Sequence, residues 1–239
     1  RSAPSCPSRP LSPLGRFDEI GYDILSQDWA VLAQQVLSRD LDLVTFIGEP
    51  SNLSKFSEAL KDQGWKGVLN AETNQYDSRL IDSSGPAAIE GITVRSAFHP
   101  FEEADQWPAT KQLVDILDAK VPDWQHAALA IQAFSASLLF GTVAKECAAD
   151  GPITRACILE RAGEVHEWTG GGLHAPSDPG ANQGPKCSML MVAKSGTWER
   201  LYPELGAEAD DGDGFNCGEI VRLEGSFGTG NKESSILTR

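Results

Sequence analysis

Between Phe17 and Lys120 short apolar runs alternate with stretches whose apolar residues recur every three or four positions. EIGYDI (19–24) reads as a short strand. SQDWAVLAQQVLSRD (26–40) places Trp29, Leu32, Ala33, Val36 and Leu37 on one helical face, with Ser26 or Asp28 as the cap. LDLVTFIG (41–48) is a continuous apolar run, the pattern of a strand buried on both faces. SNLSKFSEALKDQG (51–64) returns to helical spacing through Leu53, Phe56 and Leu60 and stops at Gly64. WKGVLNA (65–71) and GITVRSAFH (91–99) read as further strands. DQWPATKQLVDILDAK (105–120) reads as a helix that tolerates Pro108 only in its first turn.

This order predicts an α/β domain with a mostly parallel sheet covered on both faces. Ligands of such sheets bind beyond the carboxyl ends of the strands. Those ends are IGEPSN (47–52) and NAETNQYD (70–77), where carboxylates and amides follow apolar strands.

The second half of the chain has a different texture. HAALAIQAFSASLLFGTVAKECA (126–148) is apolar nearly all round, which predicts a buried helix. ITRACILERAGEVHEW (153–168) is amphipathic, with Thr154 near its start. CSMLMVAKSGTWERLY (187–202) predicts a hairpin turning at Lys194-Ser195-Gly196. Residues 1–16 are rich in Pro and Ser without apolar periodicity and read as a disordered or linker segment. The tail from Gly206 is acidic and glycine-rich.

Charge removes several function classes. Asp and Glu number 34 against 20 Lys and Arg, a formal net charge of −14. That balance argues against a nucleic-acid partner and against adhesion to anionic lipid. The longest apolar run, Ala127–Phe140, is interrupted by Gln132, Ser135 and Ser137 and is shorter than the roughly 20 residues of a spanning helix. Of five cysteines, Cys147/Cys157 and Cys187/Cys217 bracket short segments without CxxC spacing. Two local disulfides and an oxidising compartment are the preferred reading, with free buried thiols as the alternative and Cys6 left over.

No motif for covalent chemistry or metal binding emerges. EWTGGGLHAPSDPG (167–180) has no Lys after its glycines and follows a helix, so it is no phosphate loop. His174 lacks partners at metal-ligand spacing and reads as a loop histidine. DDGDG (210–214) fails the alternation of a calcium loop and reads as a solvated acidic turn. Glu102-Glu103 reads as a solvated helix start. GxSxG does not occur, and no nucleophile–base pair is evident. The expectations are therefore no catalytic residues, no metal and no cofactor.

The runs DWAVLAQQVLSRDLDLVTFIGEPSNLSKFSEALKDQGWKGVLNAE, GPAAIEGITVRSAFHPFEEA, AALAIQAFSASLLFGTVAKEC and EWTGGGLHAPSDPG with its following hairpin, in this order, resemble the extracellular solute-binding proteins of branched-chain amino-acid ABC transporters. The resemblance covers about Phe17 to Tyr202, and the local cysteine pairs resemble the actinobacterial variant. It implies the type I periplasmic-binding fold, two three-layer α/β/α lobes closing on a small ligand, with the first lobe incomplete in this chain. Residues 17–124 would form the second lobe, 125–205 the returned part of the first lobe, and 206–239 an extension. Glu72 would then hold a ligand ammonium, with Glu49, Ser51, Asn52, Asn74 and Gln132 as further ligand-side residues. The implied function is solute binding, of an amino acid or a related small polar solute, for an ABC permease outside the cytoplasm. A ligand-sensing receptor module of the same fold is the first rival, and an α/β enzyme the second.

Overall fold

A computed structural model of the chain describes residues 18–219 except 24 and 26. The 1–16 segment with Cys6, and the end of the acidic tail, lie outside the described residues.

Helix α1 (Trp29–Ser38) starts at Asp28, whose carboxylate accepts from the Ala30 and Val31 amides and satisfies two of the free N–H groups of the first turn. Strand β1 (Leu43–Phe46), helix α2 (Pro50–Asp62) and strand β2 (Val68–Ala71) follow at the expected places. Two short helices not anticipated from periodicity, α3 (Ser78–Ser84) and α4 (Pro86–Ile89), precede β3 (Thr93–Ser96). Helix α5 (Pro108–Lys120) begins with its proline at the first turn, where no backbone N–H is needed. Then come α6 (Ala128–Asp150), α7 (Arg155–Gly163), β4 (Cys187–Lys194), β5 (Thr197–Tyr202) and the short β6 (Asn216–Cys217).

The sheet runs β1-β2-β3-β4-β5, with β6 paired to β4. β1, β2 and β3 are parallel, and β4 and β5 add antiparallel strands. The hairpin turns at Ser195 and Gly196, both with positive φ (51° and 81°), the conformation that matches strand twist. β4 thus joins the same sheet as β1–β3 by pairing with β3. The core lies between this sheet (Leu69, Val94, Met191) and helices α1 and α2 (Leu32, Val36, Leu53, Phe56, Leu60). Burial of each such side chain contributes about 1.5–3 kcal/mol. Both cysteine pairs form disulfides, Cys147–Cys157 and Cys187–Cys217.

Four expectations are corrected. EIGYDI forms no strand: its described residues run irregularly across the end of β1, where Tyr22 stacks on Phe46 at 5.4 Å. β1 is not buried on both faces; it ends the sheet, pairs only with β2 among the described residues, and leaves Leu43 exposed. Helix α6 is not buried all round. It packs through Ala128, Ile131, Ser135, Val143 and Cys147, while Leu129 and Phe140 stay 53% and 58% exposed. Its apolarity therefore exceeds what the described residues cover. Since α6 continues to Asp150, its 23 residues are long and apolar enough to cross a bilayer by length and composition alone. Finally, Glu102-Glu103 does open a helical turn, the 3-10 turn Phe101–Glu103, with Glu102 exposed, but its carboxylates are partnered rather than simply solvated. Glu103 meets Arg200 across the fold, and Glu102 accepts from the Tyr76 hydroxyl at 2.5 Å.

Candidate functional site

Two polar regions flank the sheet. The first is a shelf at the carboxyl ends of β1 and β2. After β1 the chain turns through Gly48 and Glu49 into α2. After β2 it turns through Glu72 into a single 3-10 turn, Thr73–Gln75. The Thr73 hydroxyl donates to the Arg95 carbonyl at 2.6 Å, fixing this turn against β3. The Gln75 amide nitrogen donates to the Gly48 carbonyl, tying the two turns together.

Segment 18–23 crosses the shelf. The Tyr22 hydroxyl donates to the Ile47 carbonyl at 2.9 Å. Its pKa is raised, first by burial and further by the charges of Glu49 and Glu72, against a hydrogen bond with Asn52 that lowers it. One phenol thus senses both acids. The contact explains a backbone choice as well: a Cβ on Gly48 would fall 1.8 Å from the Tyr22 oxygen, so a side chain there would expel the ring. An open depression of about 840 Å³ lies beside Tyr22, lined also by Gly21, Asp23, Leu25 and Gln27.

The shelf gathers five of the six residues singled out from the sequence. Glu49 and Ser51 are exposed at the start of α2, Asn52 is buried beside Tyr22, Glu72 is exposed, and Asn74 is half-buried in the 3-10 turn. Neither Glu49 nor Glu72 forms a salt bridge among the described residues. The oxygens Asn74 Oδ1 and Gln75 Oε1 are buried without a hydrogen-bond partner. Gln132 lies elsewhere. It lines a cavity of about 250 Å³ with Ser135, Trp168, His174 and Phe98.

That cavity borders the second region, built around the glycine run. His174 is a loop histidine, as expected, and it is buried. Its Nδ1 lies 2.8 Å from the Ala175 carbonyl, so Nδ1 carries the proton and Nε2 accepts from the Ser135 hydroxyl at 2.8 Å. The Trp168 indole donates to the same hydroxyl at 2.9 Å. Burial lowers the pKa of His174 and keeps the ring neutral. A Cβ on Gly170 would meet the Ser135 oxygen at 2.8 Å, which is why glycine stands there. Across the run, the His99 ring nitrogens face the Gly172 and Asp213 carbonyls at 2.9 and 2.8 Å, and the ring stacks on Trp107 at 3.8 Å. Arg200 grips Glu103 through two bonds of 2.8 and 2.6 Å.

Ser135 and His174 do form a hydroxyl–imidazole pair, which the sequence does not reveal because 39 positions separate them. Tyr22, Gln75 and the Arg200–Glu103 pair also escape sequence reading; each is defined by a contact distant in the chain. Among the described residues no three His, Cys, Asp or Glu side chains gather as a metal site. Asp210 instead organises its own turn, accepting from the amides of Gly206, Gly212 and Gly214.

The expected mostly parallel sheet is thus a mixed one, parallel from β1 to β3 and antiparallel beyond, and the parallel strands β1 and β2 end in a polar shelf. The periplasmic binding protein family matches residues 17–197, and the chain belongs to that family. A search of curated proteins finds no match. Solved structures show the same fold. A leucine-binding protein from Thermotoga maritima is 20% identical over 78% of this chain and 51% of its own, with a TM-score of 0.64. A fatty acid ABC transporter substrate-binding protein from Thermomonospora curvata is 15% identical over 77% and 48%, with a TM-score of 0.64. An extracellular ligand-binding receptor from Verminephrobacter eiseniae is 18% identical over 72% and 48%, with a TM-score of 0.60. The chain spans about half the length of these structures.

Proposed function

We propose that this chain contributes to the solute-binding component of an ABC importer outside the cytoplasm, and that its ligand is an amino acid or a related small solute bearing an ammonium group. The observation that carries this reading is the exposed Glu72 carboxylate directly after β2, without a salt-bridge partner among the described residues. A carboxylate at a strand end binds a cation strongly once closure removes water, because a charge-assisted hydrogen bond strengthens as the local dielectric falls. In this reading the β1–β5 sheet, which β4 and β5 complete by pairing with β3, belongs to one jaw, and closure on a second jaw presents both to the permease. The two disulfides support the oxidising compartment.

The test is calorimetric titration of the purified chain with free amino acids, repeated with Glu72→Ala. Loss of a charged hydrogen bond is worth about 1.5–3 kcal/mol, so affinity should fall roughly 10- to 100-fold. Unchanged affinity would remove Glu72 from the site. A receptor module would use the same shelf, but a solute importer alone predicts ligand-dependent stimulation of a cognate permease ATPase.

A further inference from the structure

The cavity that holds Gln132 shares no lining residue with the depression beside Tyr22. Gln132, Ser135, Ala136 and Leu139 line it from α6, at the i, i+3, i+4 and i+7 positions of one helical face. Phe98 and Trp168 add aromatic walls. These walls are held by bonds across the chain. The Ala175 amide donates to the Ala97 carbonyl at 2.8 Å, and the His174 ring lies edge-on to Phe98 at 5.5 Å. The Ser135 hydroxyl is held by both Trp168 and His174. A cavity with walls this constrained exists before any ligand arrives, which spares part of the ordering cost of binding.

Five lining side chains carry a polar atom, and four of them are spent within the fold. Ser135 gives its proton to His174 Nε2 and accepts from the Trp168 indole. His174 Nδ1 is taken by the Ala175 carbonyl, and the Ser177 hydroxyl donates to the Trp168 carbonyl at 3.1 Å. Gln132, exposed on α6, is the fifth. The rest of the lining is carbon: two alanines, two prolines, Phe98 and Leu139. A water in such a space finds too few partners to be held well, and an apolar group that displaces it gains affinity. Burial keeps the His174 imidazole neutral, so no charged group stands in the wall. An apolar cavity of about 150 Å³ is enough to take benzene. The volume of about 250 Å³ here admits one substituted ring.

We propose that this cavity is a second binding site, for a small uncharged molecule with one aromatic ring and a single hydrogen-bonding substituent. The ring lies among Phe98, Leu139 and Trp168, and the substituent meets the Gln132 amide. The proposal goes beyond the solute-binding reading above and does not depend on it. A ligand ammonium or carboxylate finds no counter-charge among the lining residues, and an ion stripped of water without a partner is strongly disfavoured.

The experiment titrates the purified chain by calorimetry with benzyl alcohol and toluene, and with benzylamine and benzoate as charged molecules of similar shape. It is run on the wild type, Ala136→Phe and Gln132→Ala. Benzyl alcohol is expected to bind at one site, at least about 10-fold tighter than either ion. Ala136→Phe sets a ring into the space and should abolish binding. Gln132→Ala should weaken benzyl alcohol roughly 2- to 10-fold, the worth of one hydrogen bond, and leave toluene unchanged. No binding of benzyl alcohol, binding that survives Ala136→Phe, or an ion bound as tightly as the alcohol overturns the site. Benzyl alcohol indifferent to Gln132→Ala overturns the polar contact. Ala136 and Gln132 are both exposed on α6, so neither variant disturbs a buried position, and urea midpoints verify that each is folded.

Discussion

The glycine-run junction and the strand-end shelf are both rich in polar side chains, yet their hydrogen bonds end in different places. At the junction His99, Ser135, His174, Glu103 and Arg200 bond to one another or to nearby backbone carbonyls. On the shelf two carboxylates lack a salt bridge among the described residues and two buried amide oxygens lack donors. A polar network that satisfies itself rigidifies a fold. One that does not leaves its buried acceptors at a cost in stability. The Ser135–His174 pair shows why the distinction matters. Its geometry would suit a nucleophile and a base, but the hydroxyl already accepts from Trp168 and the ring is oriented by Ala175. Within this family it is read as part of the junction's closed network.

The comparison breaks most visibly at the buried ion pair. Arg200 and Glu103 side chains are only 8% and 13% exposed. Glu103→Ala leaves a buried guanidinium without its partner and should cost about 3–5 kcal/mol in urea unfolding. Glu103→Ala indistinguishable from wild type would mean that the junction carries no structural weight.

A smaller effect separates the regions by pH. Burial depresses the pKa of His174 in the folded state. The unfolded chain takes up this proton near about pH 6.5, while the folded chain resists. Below that point the unfolded state binds more protons, so stability should decline as pH falls from about 7 toward 5. Carboxylates contribute mainly lower: Glu103, whose burial is outweighed by its bonds to Arg200 and Trp107, loses its stabilising charge only as pH falls through its depressed pKa. His174→Gln should flatten the decline between pH 7 and 5 in a series of urea midpoints. An equally steep decline in the variant would assign it to other groups.

Much of the fold was legible because it is local. The three- and four-residue spacing of Leu53, Phe56 and Leu60 fixes α2, and Lys194-Ser195-Gly196 fixes the hairpin turn. Burial was less legible because it depends on neighbours in space. LDLVTFIG has the composition of a central strand and sits at the end of the sheet path; α6 has the composition of a buried helix and shows Phe140 to solvent. The shelf was half legible. Strand ends in a parallel sheet are predictable from element order, which located Glu49 and Glu72. Tyr22 fell in a stretch whose alternation suggested a strand, and nothing in sequence says that its hydroxyl reaches Ile47, 25 positions away. Gln75 looks like any loop amide until its nitrogen is seen on Gly48.

The smallest expected effect sharpens the contrast from the other side. If the shelf acids serve a ligand, they owe the fold nothing. Glu49 forms no side-chain cap on α2 and Glu72 none on its 3-10 turn, so removing either charge breaks no capping hydrogen bond. Both sit near Tyr22, where their charges oppose only the ionised phenol, a form absent at neutral pH. Glu49→Gln with Glu72→Gln should therefore shift unfolding free energy by no more than about 0.5 kcal/mol, the range of ordinary surface substitutions. A small gain is the more informative sign, since removing two like charges from the same end of the sheet relieves repulsion when no cation is bound. A loss comparable to that of Glu103→Ala would show that the shelf is structural after all, and the division between the two regions would fail.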